Sequence, residues 1–201
     1  MVKIIMHGCN GHMGQVISEI VEKDPNAQIV AGIDIADQGK NSYPVFTNID
    51  ECQVEADAVI DFSSPKAFDK LMDYCEKRNM PVVLCTTGLS EEHNLKVDAP
   101  SGTALALADS LNEAMDNQYH YVYDRSQRRE KRDAKEIGIS AVRGGSIVGE
   151  HEVIFAGQDE VIEFKHTAYS KAIFGKGAVE AAKYLAGKPA GRYDMSDVIA
   201  G

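Results

Sequence analysis

The chain has no tryptophan, and its four cysteines, Cys9, Cys52, Cys75 and Cys85, include no close pair. That spacing excludes the paired-thiol motifs of zinc binding and thiol redox chemistry. It leaves free thiols serving as small buried residues in a reducing compartment. The histidines outside the motifs discussed below, His7, His120, His151 and His166, are not spaced as metal ligands, and His151 and His166 fall in strand patterns as structural residues. No metal is expected. No apolar run approaches the ~18 residues of a membrane-spanning helix. The first residues pass directly into an apolar strand pattern with no signal sequence ahead of it. A cytoplasmic location is the expectation. Positive charge is also scarce: 21 Lys and Arg stand against 31 Asp and Glu, a formal net charge of −10. A nucleic-acid backbone is thereby excluded as a general partner. The one basic stretch, Arg125 to Arg132, is interleaved with Glu130 and followed by Asp133 and Glu136, and reads as a solvated connecting loop.

What is present is an ordered alternation. At 201 residues the chain can form one substantial domain or two small ones sharing a core. Apolar runs at Val2 to Met6, Gln28 to Ile33, Ala58 to Phe62 and Pro81 to Cys85 predict buried strands. Helical spacing at Met13 to Val21 and Ala67 to Arg78 separates them, the second helix opening on Pro65 in its first turn. The result is an α/β unit, a Rossmann-like parallel sheet covered on both faces, over residues 1–92. Beyond Gly88 the rhythm changes. A helix over Thr103 to Met115 precedes short strands at Tyr119 to Tyr123, Ile137 to Val142, Ile147 to Ala156 and Val161 to Ala168. These predict a smaller α+β domain over 93–170 with a mixed or antiparallel sheet. A last helix, Lys171 to Leu185, begins the segment 171–201 and is free to pack back on the first domain.

Two constellations carry chemistry. Directly after the first strand, His7-Gly8-Cys9-Asn10-Gly11-His12-Met13-Gly14 places glycines at 8, 11 and 14 before a helix. A dinucleotide needs a tight turn, close backbone approach to its pyrophosphate, and free amides at a helix start. Asp34 ends the second strand, where a carboxylate accepts hydrogen bonds from the adenosine ribose. An acid there disfavours a 2′-phosphate, which His12 and Lys40 partly offset. NADH is therefore the preferred cofactor and NADPH the alternative. In the second constellation Pro100 and Gly102 shape a turn, Ser101 and Thr103 offer hydroxyls at a helix start, and His93 and Lys96 supply positive charge. That suits a carboxylate or phosphate. The same residues also describe a capped helix start beside an exposed lysine, and spacing alone leaves the two about even.

The string KVDAPSGTA, with GCNGHMG, VAGID, VIDFS, CTTG and IVGEHEVIFAGQDEVIEFKHTAYSKAIFGKGAV, resembles the 4-hydroxy-tetrahydrodipicolinate reductase (dihydrodipicolinate reductase) family over essentially the whole chain. The resemblance implies a two-domain enzyme of the diaminopimelate route to lysine. It also implies a homotetramer built through the second sheet, and hydride transfer from NADH or NADPH to a cyclic dicarboxylate. Carried over by position, Gly8, Gly11, Met13 and Gly14 lie under the pyrophosphate and Asp34 at the ribose, with His12 a further cofactor-binding residue. Phe62, Thr86, Thr87 and Gly88 lie along the nicotinamide half. His93, Lys96, Ser101, Gly102 and Thr103 grip a substrate carboxylate, and Lys96 is the catalytic residue, stabilising or protonating the substrate nitrogen as charge develops.

The chain departs from the family pattern in one place. Family members carry several dozen more residues between the CTTG strand end and the HNLKVDAPSGTA motif, so an internal segment is missing between Glu92 and His93. Glu92 also stands where the family has the first of two adjacent histidines, its proposed general acid. Ser90-Glu91-Glu92 has the look of a helix start with nothing of the helix after it. The expectation is cofactor binding with weakened turnover. The competing reading is a catalytically impaired nucleotide-binding homologue, or deletion form, that keeps the fold.

Overall fold

The computed structural model describes residues 1–86, 99–126 and 128–201. The chain separates into two compact units, Met1–Thr87 with Ser170–Gly201, and Gly88–Tyr169.

The first unit is a five-stranded parallel sheet. Its strands are β1 (Val2–His7), β2 (Ala27–Ile33), β3 (Val45–Phe46), β4 (Ala58–Asp61) and β5 (Val82–Leu84), in the order β3-β2-β1-β4-β5. Strand β1 is central, and Ile4, Ile5 and Met6 are all fully buried. That is why its sequence is a continuous apolar run rather than an alternation. Its side chains nonetheless part by period two. Ile4 and Met6 join one core with Ile17 and Val21 of helix α1 (His12–Glu22). Ile5 joins the other with Leu71, Tyr74 and Cys75 of α2 (Phe68–Arg78). Each such aliphatic side chain, fully buried, contributes about 1.5–3 kcal/mol.

Helix α2 is preceded by a 3-10 turn, Pro65–Ala67, so the predicted start at Ala67 is divided between two helix types. It stops at Asn79, left-handed at φ 49°, whose amide returns to the carbonyls of Cys75 and Glu76. The C-terminal part of the chain supplies the remaining cover. Helix α4 (Ala172–Leu185) places Ala178, Val179 and Ala182 in the core of Ile4 and Met6, against α1 and β4. Gly175 of α4 lies tight against α1: a Cβ there would stand 2.9 Å from Ile20 Cδ1. The carboxylate of Asp24, just past α1, forms an ion pair with Lys183 of α4. Among the described residues, β3, too short for any periodicity, the 3-10 turn Ile49–Glu51 and the terminal helix α5 (Met195–Ala200), opened by a capping box between Asp194 and Asp197, were not predicted.

The second unit holds helix α3 (Gly102–Ala114) and strands β6 (His120–Tyr123), β7 (Glu136–Ile139), β8 (Gly149–Ala156) and β9 (Val161–Ala168). The mixed or antiparallel sheet expected here forms, among the described residues, as two pairs. β6 and β7 run parallel, and β8 and β9 form an antiparallel hairpin. Connection length explains the difference. Residues 124–135 leave room for a parallel return, whereas the short turn at 157–160, closed by Gly157 N–H donating to the Glu160 carbonyl at 2.8 Å, permits only a hairpin. The basic loop is not wholly solvated, because Arg125 forms an ion pair with the almost fully buried carboxylate of Glu136.

Candidate active site

In an open parallel sheet, a crevice forms at the carboxyl ends of the strands where the strand order reverses. Here that point lies beside β1, which pairs with both β2 and β4. A cleft of about 450 Å³ opens there, within the range of small-molecule sites. Its walls include Gly8 and Gly11 from the turn after β1, Asp34 after β2, and Phe62 and Ser63 after β4.

Gly8 sits at φ +84°, and a Cβ on it would come within 2.6 Å of the Phe62 carbonyl oxygen. The turn therefore accepts only glycine there. Gly14 is as constrained, since its Cβ would meet the Gly8 carbonyl oxygen at 2.3 Å. Helix α1 has Gly11 as its N-cap, with no side chain capping it, so its first amides, at the positive end of the helix, are unclaimed by a side chain. The Asp34 carboxylate accepts from Asn10 N–H at 2.7 Å and Ile35 N–H at 2.8 Å. Each oxygen keeps a further lone pair for a ligand hydroxyl. Asn41, not singled out from the sequence, accepts from Gln15 Nε2 at 2.9 Å and donates to Asn10 Oδ1 at 2.8 Å, pinning the turn to α1. These features fit a dinucleotide: a side-chain-free cradle, an uncapped helix start and a fixed carboxylate.

At the cleft wall, through His7 and Ser63, lies a buried polar group around Asp61 that sequence reasoning missed. His7 Nδ1 is 2.8 Å from Asp61 Oδ1, Thr86 Oγ1 donates to Asp61 Oδ2 at 2.6 Å, and Ser63 N–H donates to Asp61 Oδ1 at 3.2 Å. Burial alone would raise the Asp61 pKa; hydrogen bonds from His7, Ser63 and Thr86 outweigh it and hold the carboxyl below its ordinary value. The signal was faint, because His7 and Asp61 are far apart in sequence and meet only through the β1–β4 register. The four thiols are free, and burial, with Asp34 adding to it, pushes that of Cys9 up to about 11.

In the second unit, Ser101 caps α3. Its Oγ accepts from Ala104 N–H at 3.2 Å and lies 2.8 Å from His151 Nε2. Gly102 and Thr103 form the exposed first turn, with amides that the helix itself does not use. Burial, then His166 and Arg143, lower the His151 pKa from 6.5.

Of the sequence-derived residues, Gly8, Gly11, Asp34 and Phe62 line one cleft. His12, Met13 and Gly14 form the first turn of α1, outside its lining, and Thr86 reaches Asp61. Ser101, Gly102 and Thr103 stand together at the start of α3. Thr87, Gly88, His93, Lys96 and the Glu92–His93 junction lie outside the described residues. The described residues contain no cluster able to hold a metal and no helix long and apolar enough to cross a membrane.

Two family models account for nearly all of this sequence. "Dihydrodipicolinate reductase, N-terminus" matches residues 2–108 and "Dihydrodipicolinate reductase, C-terminus" matches residues 86–199. The chain belongs to the dihydrodipicolinate reductase family. Among relatives, the 4-hydroxy-tetrahydrodipicolinate reductase of Clostridium novyi (strain NT) is 42% identical over 249 positions, covering 99% of this chain and 98% of the relative. That of Caldanaerobacter subterraneus subsp. tengcongensis is 40% identical over 252 positions, with the same two coverages. The solved dipicolinate-bound dihydrodipicolinate reductase of Paenisporosarcina sp. TG-14 shares the fold at a TM-score of 0.68. It is 17% identical and covers 92% of this chain and 95% of that one. An alignment of 252 positions is 51 longer than the 201 residues present, so the Caldanaerobacter enzyme carries residues that this chain lacks.

Proposed function

We propose that the chain is an NAD(P)H-dependent 4-hydroxy-tetrahydrodipicolinate reductase of lysine biosynthesis through diaminopimelate. The observation that carries the reading is the glycine cradle packed on Phe62 at the switch point, with Asp34 fixed beside it, in a chain matched from end to end by both halves of the family. A bound nicotinamide cofactor supplies the hydride. The protein's own residues do the rest. The turn over Gly8 and Gly11 and the start of α1 receive the pyrophosphate, with His12, Met13 and Gly14 supplying that first turn. Asp34 holds the ribose hydroxyls, while Phe62, Thr86, Thr87 and Gly88 border the nicotinamide half. Ser101, Gly102 and Thr103 hold a substrate carboxylate with His93 and Lys96, and Lys96 stabilises or protonates the ring nitrogen as charge develops.

For the cofactor, the Asp34 carboxylate favours NADH. A 2′-phosphate would meet an acid already engaged by two backbone amides, and like charges at that range repel. The overlap of the two family models over residues 86–108 supports a reading in which the missing segment falls between Glu92 and His93.

The proposed partner is a second copy of the chain. Across the β8–β9 hairpin, Val153 faces Phe164 and Phe155 faces Ile162, while Glu152 faces Lys165 on the other side. Phe164 is 64% exposed and Ile162 50%. A two-stranded hairpin is marginal alone, and its apolar face supports assembly into a homotetramer through this sheet.

Fluorescence titration with NADH and NADPH, followed by NADH oxidation with freshly generated 4-hydroxy-tetrahydrodipicolinate, tests the reading. Tighter NADH binding and substrate-dependent oxidation are expected. Failure to bind either nucleotide would end the proposal, and binding without turnover would favour the impaired form.

A further inference from the structure

The Ser101 hydroxyl is committed on one side and open on the other. A hydroxyl has two acceptor lone pairs and one hydrogen to donate. Ala104 N–H, at 3.2 Å, takes one lone pair in capping α3. The second contact, His151 Nε2 at 2.8 Å, can run in either direction depending on the imidazole tautomer. If Nε2 accepts, the Ser101 hydrogen is spent on the ring, and Nδ1 must carry a hydrogen. Nδ1 is buried and has no hydrogen-bond partner among the described residues, so that hydrogen would point at nothing. If Nε2 carries the hydrogen, it fills the second lone pair of Ser101 and leaves Nδ1 as a bare lone pair. Buried N–H groups without acceptors are rarer in folded proteins than under-used acceptors.

We propose that His151 is a positioning residue for the substrate-carboxylate site, its Nε2–H donating to Ser101 so that the Ser101 hydroxyl hydrogen is presented to an anionic oxygen. The inference rests on the reading of Ser101 as a carboxylate ligand and deepens it. Three features set the ring for this task. His151 lies on β8 directly opposite His166 of β9, and the two rings stack at 6.5 Å and 13°. Its surroundings favour the neutral imidazole, which has one N–H to place. The exposed Gly102 and Thr103 follow Ser101, so the hydroxyl stands beside two free helix-start amides, and all three donors favour negative charge.

The test is binding of dipicolinate (pyridine-2,6-dicarboxylate) to the NADH-loaded protein by calorimetry. Wild type is compared with Ser101→Ala, His151→Leu, His151→Gln and the Ser101→Ala/His151→Leu double variant. One charge-assisted hydrogen bond corresponds to roughly a ten-fold change in Kd. Ser101→Ala and His151→Leu should each weaken dipicolinate binding by about that factor. The double variant should be no weaker than Ser101→Ala, and His151→Gln, whose amide can donate to Ser101, should recover most of the affinity. NADH affinity should not change. Wild-type affinity in Ser101→Ala overturns the carboxylate reading itself. Weakening in Ser101→Ala with none in His151→Leu, or additive losses in the double variant, overturns the role of His151. Should His151→Leu fail to fold, the ¹⁵N shifts of the histidine rings in the wild-type protein decide the matter. An Nε2–H signature for His151 supports the proposal and an Nδ1–H signature overturns it.

Discussion

His7 and Asp61 form a buried polar pair at the cleft that Gly8 and Asp34 line, and the carboxylate also takes hydrogen bonds from Thr86 and the Ser63 amide. A hydrogen bond to a buried charged group contributes more than a neutral one, about 1.5–3 kcal/mol. His7→Ala should therefore lower stability by about 2 kcal/mol in urea unfolding. The pH dependence follows from the depressed pKa of Asp61. A carboxyl whose folded pKa lies below its unfolded value stabilises the fold above that unfolded value, and the contribution is lost as pH falls through the folded pKa. Wild type should lose stability on acidification below the unfolded value of 3.8. Asp61→Asn should show a shallower loss over that window, measured by urea midpoints against pH; identical slopes would contradict the assignment. Gly8 sets a different constraint. At φ +84° and against the Phe62 carbonyl, Gly8→Ala combines left-handed strain with backbone overlap. It should lower stability by about 1–3 kcal/mol and weaken NADH binding together.

At the scale of elements, α4 is the test of how the first unit is held. Its Ala178, Val179 and Ala182 complete the core over Ile4 and Met6, and Gly175 lets it approach α1. Gly175→Val would drive methyl groups into Ile17 and Ile20. Overpacking of this kind costs about 1–3 kcal/mol, and a thermal melt should show it, with NADH affinity per folded molecule preserved. The Lys183–Asp24 pair between the same two segments is partly exposed and should contribute less, because solvent screens it. The sequence made α4 legible as a helix through its spacing and the stop at Gly187. The sequence left it free to pack back on the first domain, but its particular partners, Ile17 and Ile20 of α1, were not legible, because they belong to the opposite end of the chain.

At the scale of the whole molecule, the β8–β9 hairpin puts Val153, Phe155, Ile162 and Phe164, with His151 and His166, on one largely apolar face, and Glu150, Glu152, Glu163 and Lys165, with Ile154 and Val161, on the other. Alternation in the sequence already marks the two faces. If copies of the chain cover the apolar face, Phe164→Glu should convert an assembly near four times 21.9 kDa into smaller species in light scattering. A monomeric wild type would remove the proposal.

The sequence by itself determined the parallel α/β unit, the glycine turn with its acid, and the family, because each is written in local spacing: period-two and helical patterns, glycines before a helix, a short specific string. Only the tertiary structure decided which distant residues meet. It brought His7 to Asp61 through strand register and seated α4 on α1. It divided the second unit's strands into two pairs by loop length, and set His151 against Ser101. The reason is common to all four. A local pattern specifies how a segment can fold, whereas a long-range contact depends on where other segments put their surfaces, and no single stretch records that.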